Sequence, residues 1–370
     1  VDQAEMMTFR ALLLAAAGFS AIETELERGG LKRYVAVLGG CMIYALATLI
    51  YQSNALFAIV LVTAVLLTRT GREPMSDVKW LGYHLGTLLA GMATGYYLVQ
   101  AVFSNGLFRE SARMQLETSP VTKIGWYFWQ PLPDALALFA LRDDQGTGMV
   151  IFWSVVVVVL ALIAMGFRQT AVARESWWKR KWVWCLGILP LAAHAISLVA
   201  AERSTAYRVL FSLSGLVLVL VIYALRAITA ARGIKPLPHY LTVGFLAIGA
   251  AWLAHQQTFQ LIAEPQGHEW NLVQGSVLRS NFTHPTTVYF VTPTLAERST
   301  ERIYGDEFGS LSSDSGAVAG EMFKAALRER FGPKLPKGGS YTFASGRDVP
   351  APMAYDVVID MRRLKQRKAP

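Results

Sequence analysis

The chain has 370 residues, of which 53% are apolar and 16% are charged, and its formal net charge at pH 7 is +9. So large an apolar share excludes a disordered chain and indicates a polytopic membrane protein with a soluble portion. Much of the positive charge lies in short segments between apolar runs, so it indicates membrane topology rather than binding to nucleic acid. The two cysteines, Cys41 and Cys185, both fall inside apolar runs, and no disulfide framework is implied.

Eight apolar runs are predicted to cross the membrane as helices, because ~20 apolar residues in a helix span ~30 Å of lipid. The first and third runs are short. The chain begins with Val1 and enters the first run almost at once, which favours an upstream portion of the protein. The runs cover residues 6–22, 34–51, 55–68, 80–103, 149–167, 182–201, 209–225 and 239–257.

The basic residues are distributed unequally between the two sets of connections. One set, formed by residues 23–33, 69–79, 168–181 and 226–237, holds 14 Lys and Arg in 48 residues. The other set, formed by residues 1–10, 52–54, 104–148 and 201–208, holds seven in 66 residues. By the positive-inside rule the first set faces the cytoplasm, which places the amino terminus and the tail from residue 258 outside.

Short connections predict how neighbouring spans pair. The second and third runs are joined only by Tyr51-Gln52-Ser53-Asn54, which predicts a tight antiparallel pair of helices with Asn54 at the outer side. The sixth and seventh runs are joined by the charged tip 202–208, which predicts a transmembrane hairpin whose tip lies at the outer surface. The fourth run carries His84 and four glycines at a spacing typical of close helix packing in lipid: Gly82, Gly86, Gly91 and Gly95.

The outer connection 104–148 carries both charges and aromatic residues. Glu110, Arg113 and Glu117 recur at helical spacing, and the aromatic segment 126–129 follows them. Aromatic residues favour the headgroup level, so this connection is predicted to lie at the membrane interface. Two interpretations remain open, a passive amphipathic anchor and a lid that faces a lipid-borne substrate.

In the sixth run Pro190 precedes His194, which lies on a line leading toward Glu202. An ionisable residue within a span favours a functional role in a wet cavity. The alternative is a neutral histidine that bonds to a neighbouring helix after a proline kink.

The tail 258–370 is predicted to form a small domain. Residues 287–292 and 355–360 are predicted strands, 341–344 a weaker one, and 321–331 a helix. The segment 312–316 before this helix favours either a helix cap or an anion cradle. The predicted fold is therefore an all-α membrane bundle of about eight transmembrane helices, residues 1–257, followed by an extracytoplasmic α+β domain, residues 258–370.

The sequence contains no Walker loop, dinucleotide fingerprint, HExxH, CxxC pair or nucleophile elbow. These absences argue against an ATP-driven pump and most soluble enzyme classes. There remains a wet outer face that gathers carboxylates, arginines and other polar side chains above the predicted bundle. Its residues are Asn54, Glu110, Arg113, Glu202, Arg203, Tyr207 and Arg208.

This layout resembles membrane glycosyltransferases of the GT-C type, and among them the phage-type O-antigen glucosyltransferase (Gtr) group. The resemblance covers mainly residues 34–257 and rests on the many spans with an outer tail, on the Tyr51-Gln52 tip and on the 202–208 tip. It implies an enzyme of a bacterial inner (plasma) membrane that moves a sugar from a polyprenyl-phosphate carrier to a cell-envelope glycan. Such enzymes use an acidic residue in an early outer loop, and here only Asp2 and Glu5 lie near the corresponding side.

The residues can be assigned roles on this hypothesis. A carboxylate acts as general base on the acceptor hydroxyl, with Glu202, Asp2 and Glu5 as candidates. Arginine guanidinium groups hold the lipid phosphate. The expected partners are membrane lipid, the polyprenyl-phosphate-linked sugar and the envelope glycan, with no nucleic acid, no assigned metal ligand and no cofactor beyond the donor. The predicted substrate-binding residues are Arg203, Arg208, Tyr207, Asn54, Glu110, Arg113 and His194.

The competing hypothesis is a non-catalytic membrane transporter or a polysaccharide-assembly scaffold. A transporter is expected to carry broken helices and midplane charges in repeated halves. The sequence offers only Pro190 and His194 of this kind, which favours the enzyme.

Overall fold

A computed structural model describes residues 3–26, 30–69, 75–105, 115–138, 148–170, 181–203, 205, 207–233, 239–259, 263–294, 305–306, 309–310, 313 and 315–362. The chain forms two compact units, Val1–Pro236 and Leu237–Pro370. The second unit includes the eighth apolar run as well as the predicted soluble domain.

The described part of the first unit is helical. Its helices are α1 (Gln3–Leu26), α2 (Gly30–Ile50), α3 (Gln52–Ala55), α4 (Phe57–Thr68), α5 (Asp77–Ser104), α6 (Pro120–Trp129), α7 (Pro131–Leu136), α8 (Gly148–Thr170), α9 (Lys181–Val183), α10 (Leu189–Ala192), α11 (Ala195–Val199) and α12 (Tyr207–Ala231).

Five of the described helices are long and apolar enough to cross a membrane: Met7–Leu26, Gly30–Ile50, Asp77–Ser104, Met149–Thr170 and Arg208–Ala231. Apolar side chains on their outer faces are exposed, as Val150 and Val157 are on α8. Such helices indicate an integral membrane protein. They correspond to five of the eight predicted spans. The third run forms a shorter apolar helical segment, Gln52–Thr68, and the count of about eight stays a prediction.

The sixth apolar run is not one helix. After α9 the chain forms a π-helical turn, Trp184–Ile188, then α10, and it breaks again before α11. Proline is the physical reason for the first interruption, because Pro190 has no N–H to donate to the preceding turn and its ring crowds that turn. The second interruption is at His194, whose φ of −123° and ψ of 15° are not helical. Residues 182–201 therefore do not form one continuous helix, and the crossing of the membrane by this run stays a prediction.

The helices pair differently from the prediction based on short connections. Helix α2 packs along α1 and α5, while α4 packs on α12 and α1, so the predicted tight pair of the second and third runs does not form. Helix α12 packs along α8 and α4. The sixth run contacts α12 through the ring of Trp182, which lies against the ring of Tyr223. The transmembrane hairpin with its tip at 202–208 stays a prediction.

Two of the four glycines in α5 explain its pairing with α2. A Cβ on Gly91 would lie 2.6 Å from Cβ of Tyr44, and one on Gly95 would lie 3.2 Å from the carbonyl oxygen of Ala45. These glycines therefore permit the close approach of the two backbones. Gly82 and Gly86 have open space where a Cβ would stand, so the predicted packing role holds for one pair only.

The second unit begins with helix α13 (His239–Thr258), which covers the eighth run but is not among the five helices suited to span a membrane. Helix α14 (Glu264–Arg279), strand β1 (Pro285–Val291), a small hairpin of β2 (Gly305–Asp306) and β3 (Gly309–Ser310), helix α15 (Gly316–Phe331), β4 (Ser340–Gly346) and β5 (Val357–Asp360) follow. A parallel sheet of order β4-β1-β5 confirms the three predicted strands, and the predicted helix starts earlier, at Gly316.

One aromatic side chain lies at the centre of this sheet domain. The Phe323 ring on α15 is buried against Phe282, Phe290 and Tyr341, with ring centroids 5.4–6.0 Å apart. Strand β1 alternates, so that Val288 and Phe290 turn into the same core. This alternation is the period expected of a strand with one buried face.

The segment before α15 holds an anion from the chain itself. The N–H of Ser313 donates to Oε2 of Glu269 at 2.9 Å, and this contact is buried. Ser315, the residue that precedes α15, makes no side-chain capping bond. Ser312 and Asp314 of the segment 312–316 lie outside the described residues, so the helix cap and the anion cradle both stay predictions.

We expect residues 258–370 to unfold cooperatively when expressed alone, with a stability that depends on Asp356. Its Oδ2 accepts hydrogen bonds from the N–H (2.7 Å) and the hydroxyl (2.8 Å) of Thr287, and these bonds lower the pKa of Asp356. A lowered pKa stabilises the fold above the unfolded value of ~3.9, and the gain is lost as pH falls through the folded pKa. Asp356→Asn should therefore lower Tm at neutral pH, and the difference from wild type should shrink below about pH 4.

The control for this measurement is Asp348→Asn, an exposed carboxylate near the end of β4. Circular dichroism melting curves give Tm for all three proteins. A constant Tm difference between wild type and Asp356→Asn down to acid pH would contradict the assigned role of Asp356.

Candidate functional site

A short antiparallel bridge joins the outer connection to the segment that follows α11. Leu116 pairs with Ala200, the N–H of Glu117 donates to the Val199 carbonyl at 2.9 Å, and the N–H of Ala201 donates to the Gln115 carbonyl at 2.8 Å. Helix α6 then starts at Pro120, a residue suited to the first helical position. The bridge therefore fixes α6 beside the predicted 202–208 tip.

Lys123 on α6 is the buried cation of this region. It is 1% exposed, and its Nζ donates to the Glu202 carbonyl at 2.6 Å. The same ammonium lies 4.5 Å from the ring centroid of Trp126. Burial lowers the pKa of Lys123, while the nearby carboxylate of Glu117 acts in the opposite direction. The carbonyl and the aromatic face replace part of the lost hydration of the charge.

Glu117 supplies a carboxylate next to this cation. Its Oε1 accepts the N–H of Ser119 at 2.9 Å, and its Oε2 lies 3.7 Å from Nη2 of Arg203. The Ser119 N–H, followed by the charges of Arg203 and Lys123, holds the pKa of Glu117 below its ordinary value. The carboxylate is therefore ionised at neutral pH and able to accept a proton or a hydroxyl hydrogen bond. Glu117, Lys123, Glu202 and Arg203 form what we call the α6 cluster.

His194 packs under α6 among aromatic rings. The centroid of its imidazole is 5.9 Å from that of Trp126 and 5.8 Å from that of Tyr127. The residue is 1% exposed, and neither ring nitrogen has a hydrogen-bond partner among the described residues. The alternative in which His194 bonds a neighbouring helix is not seen. The predicted substrate-binding role of His194 stays a prediction.

The predicted site residues are brought together only in part. Glu202 and Arg203 belong to the α6 cluster. Tyr207 is the first residue of α12, and Arg208 lies half-buried in its first turn. Asn54 is fully buried on α3, which packs against α11 and α12, the helices on either side of the tip.

The remaining predicted residues lie wholly or partly outside the part of the chain that the structure describes. Asp2, Glu110 and Arg113 lie outside the described residues, and of Glu5 only the backbone, in α1, is described. Glu117 is in an extended segment, so the helical spacing predicted for it with Glu110 and Arg113 is wrong at this residue. The sequence analysis left Glu117 and Lys123 out of the predicted site. The signal that could have found them was their position just before the aromatic segment 126–129.

A second polar cluster, which we call the Glu23 cluster, lies at the opposite end of α4. Oε2 of Glu23 accepts the indole N–H of Trp80 at 2.8 Å and lies 3.0 Å from Nε2 of His84. The Phe19 ring stacks on the imidazole with a centroid distance of 4.9 Å. His84 is 1% exposed, so this carboxylate binds two side chains that the α1 and α5 interface covers.

The Glu23 cluster continues as a chain of ion pairs. Nε of Arg69 donates to Oδ1 of Asp77 at 3.0 Å, and its guanidinium carbon lies 5.0 Å from the Trp80 ring centroid. Nζ of Lys181 lies 3.6 Å from Oδ2 of Asp77 and donates to the Arg69 carbonyl. The cluster therefore ties α1, the end of α4, α5 and α9 together. Sequence analysis missed it, although Trp80 and His84 stand one turn apart on one face.

The described residues contain no group of three or more His, Cys, Asp or Glu able to hold a metal ion. Comparisons with protein-family models, with curated proteins and with solved structures found no match.

The bridge beside α6 can be tested by a disulfide. Leu116 and Ala200 form a pair of the non-hydrogen-bonded type, in which Cα atoms lie ~4.5 Å apart, inside the ~4.4–6.8 Å range of disulfides. We expect the Leu116→Cys, Ala200→Cys protein to form this disulfide under mild oxidation, detected by peptide mass spectrometry. The shifted pair Leu116→Cys, Val199→Cys is the control, because neighbouring side chains point to opposite sides. Equal yields from both pairs would show that the two segments are not registered as described.

Proposed function

We propose that this protein is a glycosyltransferase of a bacterial inner (plasma) membrane. It moves a sugar from a polyprenyl-phosphate carrier to a cell-envelope glycan, O-antigen or similar, on the outer face. The observation that carries the proposal is the α6 cluster, where Lys123 of a short aromatic helix meets Glu117, Glu202 and Arg203 from the segments beside it. A charged lipid with an attached sugar needs these groups at this level of the bilayer.

The cations of the α6 cluster are suited to the carrier phosphate. Arg203 has a side chain that is 43% exposed, and its guanidinium lies 3.7 Å from Glu117, too far for a short bidentate pair. The fork is therefore accessible to phosphate oxygens, which it matches in geometry. Lys123 stays buried and holds the Glu202 carbonyl, so it positions the tip and adds positive potential.

The carboxylates of the α6 cluster are suited to the acceptor. Glu117, which is ionised at neutral pH and oriented by its hydrogen bond from Ser119, takes the proton of the acceptor hydroxyl as that oxygen attacks the anomeric carbon. The bond from the anomeric carbon to the phosphate oxygen breaks, and polyprenyl phosphate leaves with its charge beside Arg203. Glu202 is exposed and is the second candidate base, as the sequence analysis proposed.

Transport or assembly of polysaccharide is the rival function. The broken sixth run favours it, because discontinuous helices often form the binding sites of transporters. Buried His194 stands at the second of its two interruptions. The two functions differ in whether a glycosidic bond forms.

Eight spans, with the tail outside, follow from the distribution of Lys and Arg. Reporter fusions placed after Arg232 and after Gly267 should report opposite compartments, cytoplasmic and extracytoplasmic respectively. Alkaline phosphatase and green fluorescent protein activities measure the two sides. The same compartment for both fusions would remove the eighth span and the outer location of the domain.

Substitutions in the α6 cluster test the enzyme hypothesis. Glu117→Gln should lower kcat by about 10²–10⁴-fold, the usual contribution of a general base. Arg203→Gln should lower kcat/KM by ~10-fold or more, since a hydrogen bond to a charged group is worth ~1.5–3 kcal/mol. The measurement is transfer of radiolabelled glucose from glucosyl polyprenyl phosphate to envelope glycan in isolated membranes.

Arg232→Gln, an exposed change at the far end of α12, is the matched control and should transfer at the wild-type rate. If the Glu117→Gln protein is equally abundant and equally active, the proposed base is wrong. If no member of the set forms a glycosidic bond while the wild-type protein moves the lipid across proteoliposomes, the rival function is correct.

A further inference from the structure

An open cleft of about 810 Å³ lies between the amino-terminal ends of α2 and α5. It is remote from the α6 cluster, because these helix ends lie at the level of the Glu23 cluster. Its lining residues are Arg33, Met75, Ser76, Lys79, Gly82 and Tyr83. Among the described lining residues, two are cations, two carry hydroxyls and none is a carboxylate.

The two cations differ in how firmly they are held. Nε of Arg33 donates to the Leu26 carbonyl at 3.0 Å, and its guanidinium carbon lies 5.6 Å from the ring centroid of Tyr83. These contacts fix the plane of the guanidinium at the cleft wall. Lys79 is exposed, and no described residue pairs with its ammonium. The fixed guanidinium of Arg33 and the mobile ammonium of Lys79 together are suited to binding phosphate oxygens.

Asp77, which is two residues from Lys79, does not repel an anion in the cleft. Asp77, in the first turn of α5, is held by Arg69 at 3.0 Å and Lys181 at 3.6 Å, so its charge is already balanced. Ser76 precedes α5 without forming a side-chain capping bond. The positive end of the 28-residue helix α5 therefore adds to the two cations.

A neighbouring groove provides a comparison, because its described charges do not favour an anion. The groove between α1 and α2, about 740 Å³, is mainly apolar and carries one charge of each sign, Glu25 and Lys32. Opposite charges at similar positions give no preference for an anion. In the cleft at Arg33 and Lys79, by contrast, both charged residues among the described lining are cations.

We infer that the cleft between α2 and α5 binds the phosphate of an anionic lipid headgroup. The connections around the cleft belong to the set that is rich in Lys and Arg. The positive-inside rule assigns this set to the cytoplasmic side. Anionic lipids of the cytoplasmic leaflet bind to basic pockets of this kind. The apolar helix surfaces beside the cleft hold the acyl chains. This site is independent of the proposed glycosyl transfer, and its occupant differs from the polyprenyl phosphate assigned to the α6 cluster.

Binding is measured on the purified full chain in neutral detergent, titrated with phosphatidylglycerol and, separately, with phosphatidylcholine. The Arg33→Gln, Lys79→Gln protein should bind phosphatidylglycerol at least 10-fold more weakly. Gly82→Phe should do the same without changing any charge, because Gly82 lines the cleft, a Cβ there meets no atom within 4 Å, and the ring would occupy the open space.

Gly86→Phe is the matched control, one turn further along α5, also in open space and outside the cleft lining. It should bind phosphatidylglycerol as the wild type does. Thermal melting of each variant checks that the fold is retained, and Gly82→Phe tests the site even if the double variant fails to fold.

Three results would overturn the inference. If Gly82→Phe binds phosphatidylglycerol with wild-type affinity, the lipid is attracted by general surface charge and not by the cleft. Equally tight binding of phosphatidylcholine would remove the selection for an anion. Displacement of the lipid by an equal concentration of inorganic phosphate would make this a site for the free ion.

Discussion

The buried ammonium group of Lys123 is the constraint on which the outer end of the helical unit depends. A cation that is 1% exposed needs oxygen or aromatic partners, since its desolvation is otherwise costly. The Glu202 carbonyl and the Trp126 ring supply them. That carbonyl is available because α11 ends at Val199 and the chain beyond it is not helical. The end of α11 is therefore what gives Lys123 its partner, and the partner places Arg203 next to Glu117.

The polar groups of the helical unit are concentrated at its two ends. Between the α6 cluster and the Glu23 cluster runs α4, whose residues are apolar apart from two threonines, and the hydroxyl of the buried one, Thr63, bonds back to the Ile59 carbonyl. Lipid offers no partners for exposed backbone, so the interruptions of the sixth run must be covered by protein. The rings of Trp126 and Tyr127 cover His194 at the second of these interruptions.

Local sequence signals predicted the elements but not their partners. Hydropathy and length predicted eight spans, five of which correspond to described helices suited to a membrane, and period-two alternation predicted the strand around Val288. Both signals depend on neighbours in the chain. The pairing of α2 with α5 could not be predicted from the short connection after α2, since it depends on contacts that Gly91 and Gly95 make across 46 or more residues. Likewise Glu23 and His84 are 61 residues apart, and either alone predicts nothing about the other.

The α6 cluster and the cleft between α2 and α5 differ in whether a carboxylate is available beside the cations, which a reaction needs and binding does not. At the α6 cluster Arg203 lies beside the ionised carboxylate of Glu117, so a phosphate and a proton-accepting oxygen can be held within a few ångströms of one another. Beside the cleft of α2 and α5, the carboxylate of Asp77 pairs with Arg69 and Lys181, and the charged and polar residues of the described lining are cations and hydroxyls. A bound phosphate there meets no described base. The proposed lipid site can therefore hold a lipid in place without reacting with it, and the proposed transfer is assigned to the end of the helical unit where Glu117 supplies a carboxylate.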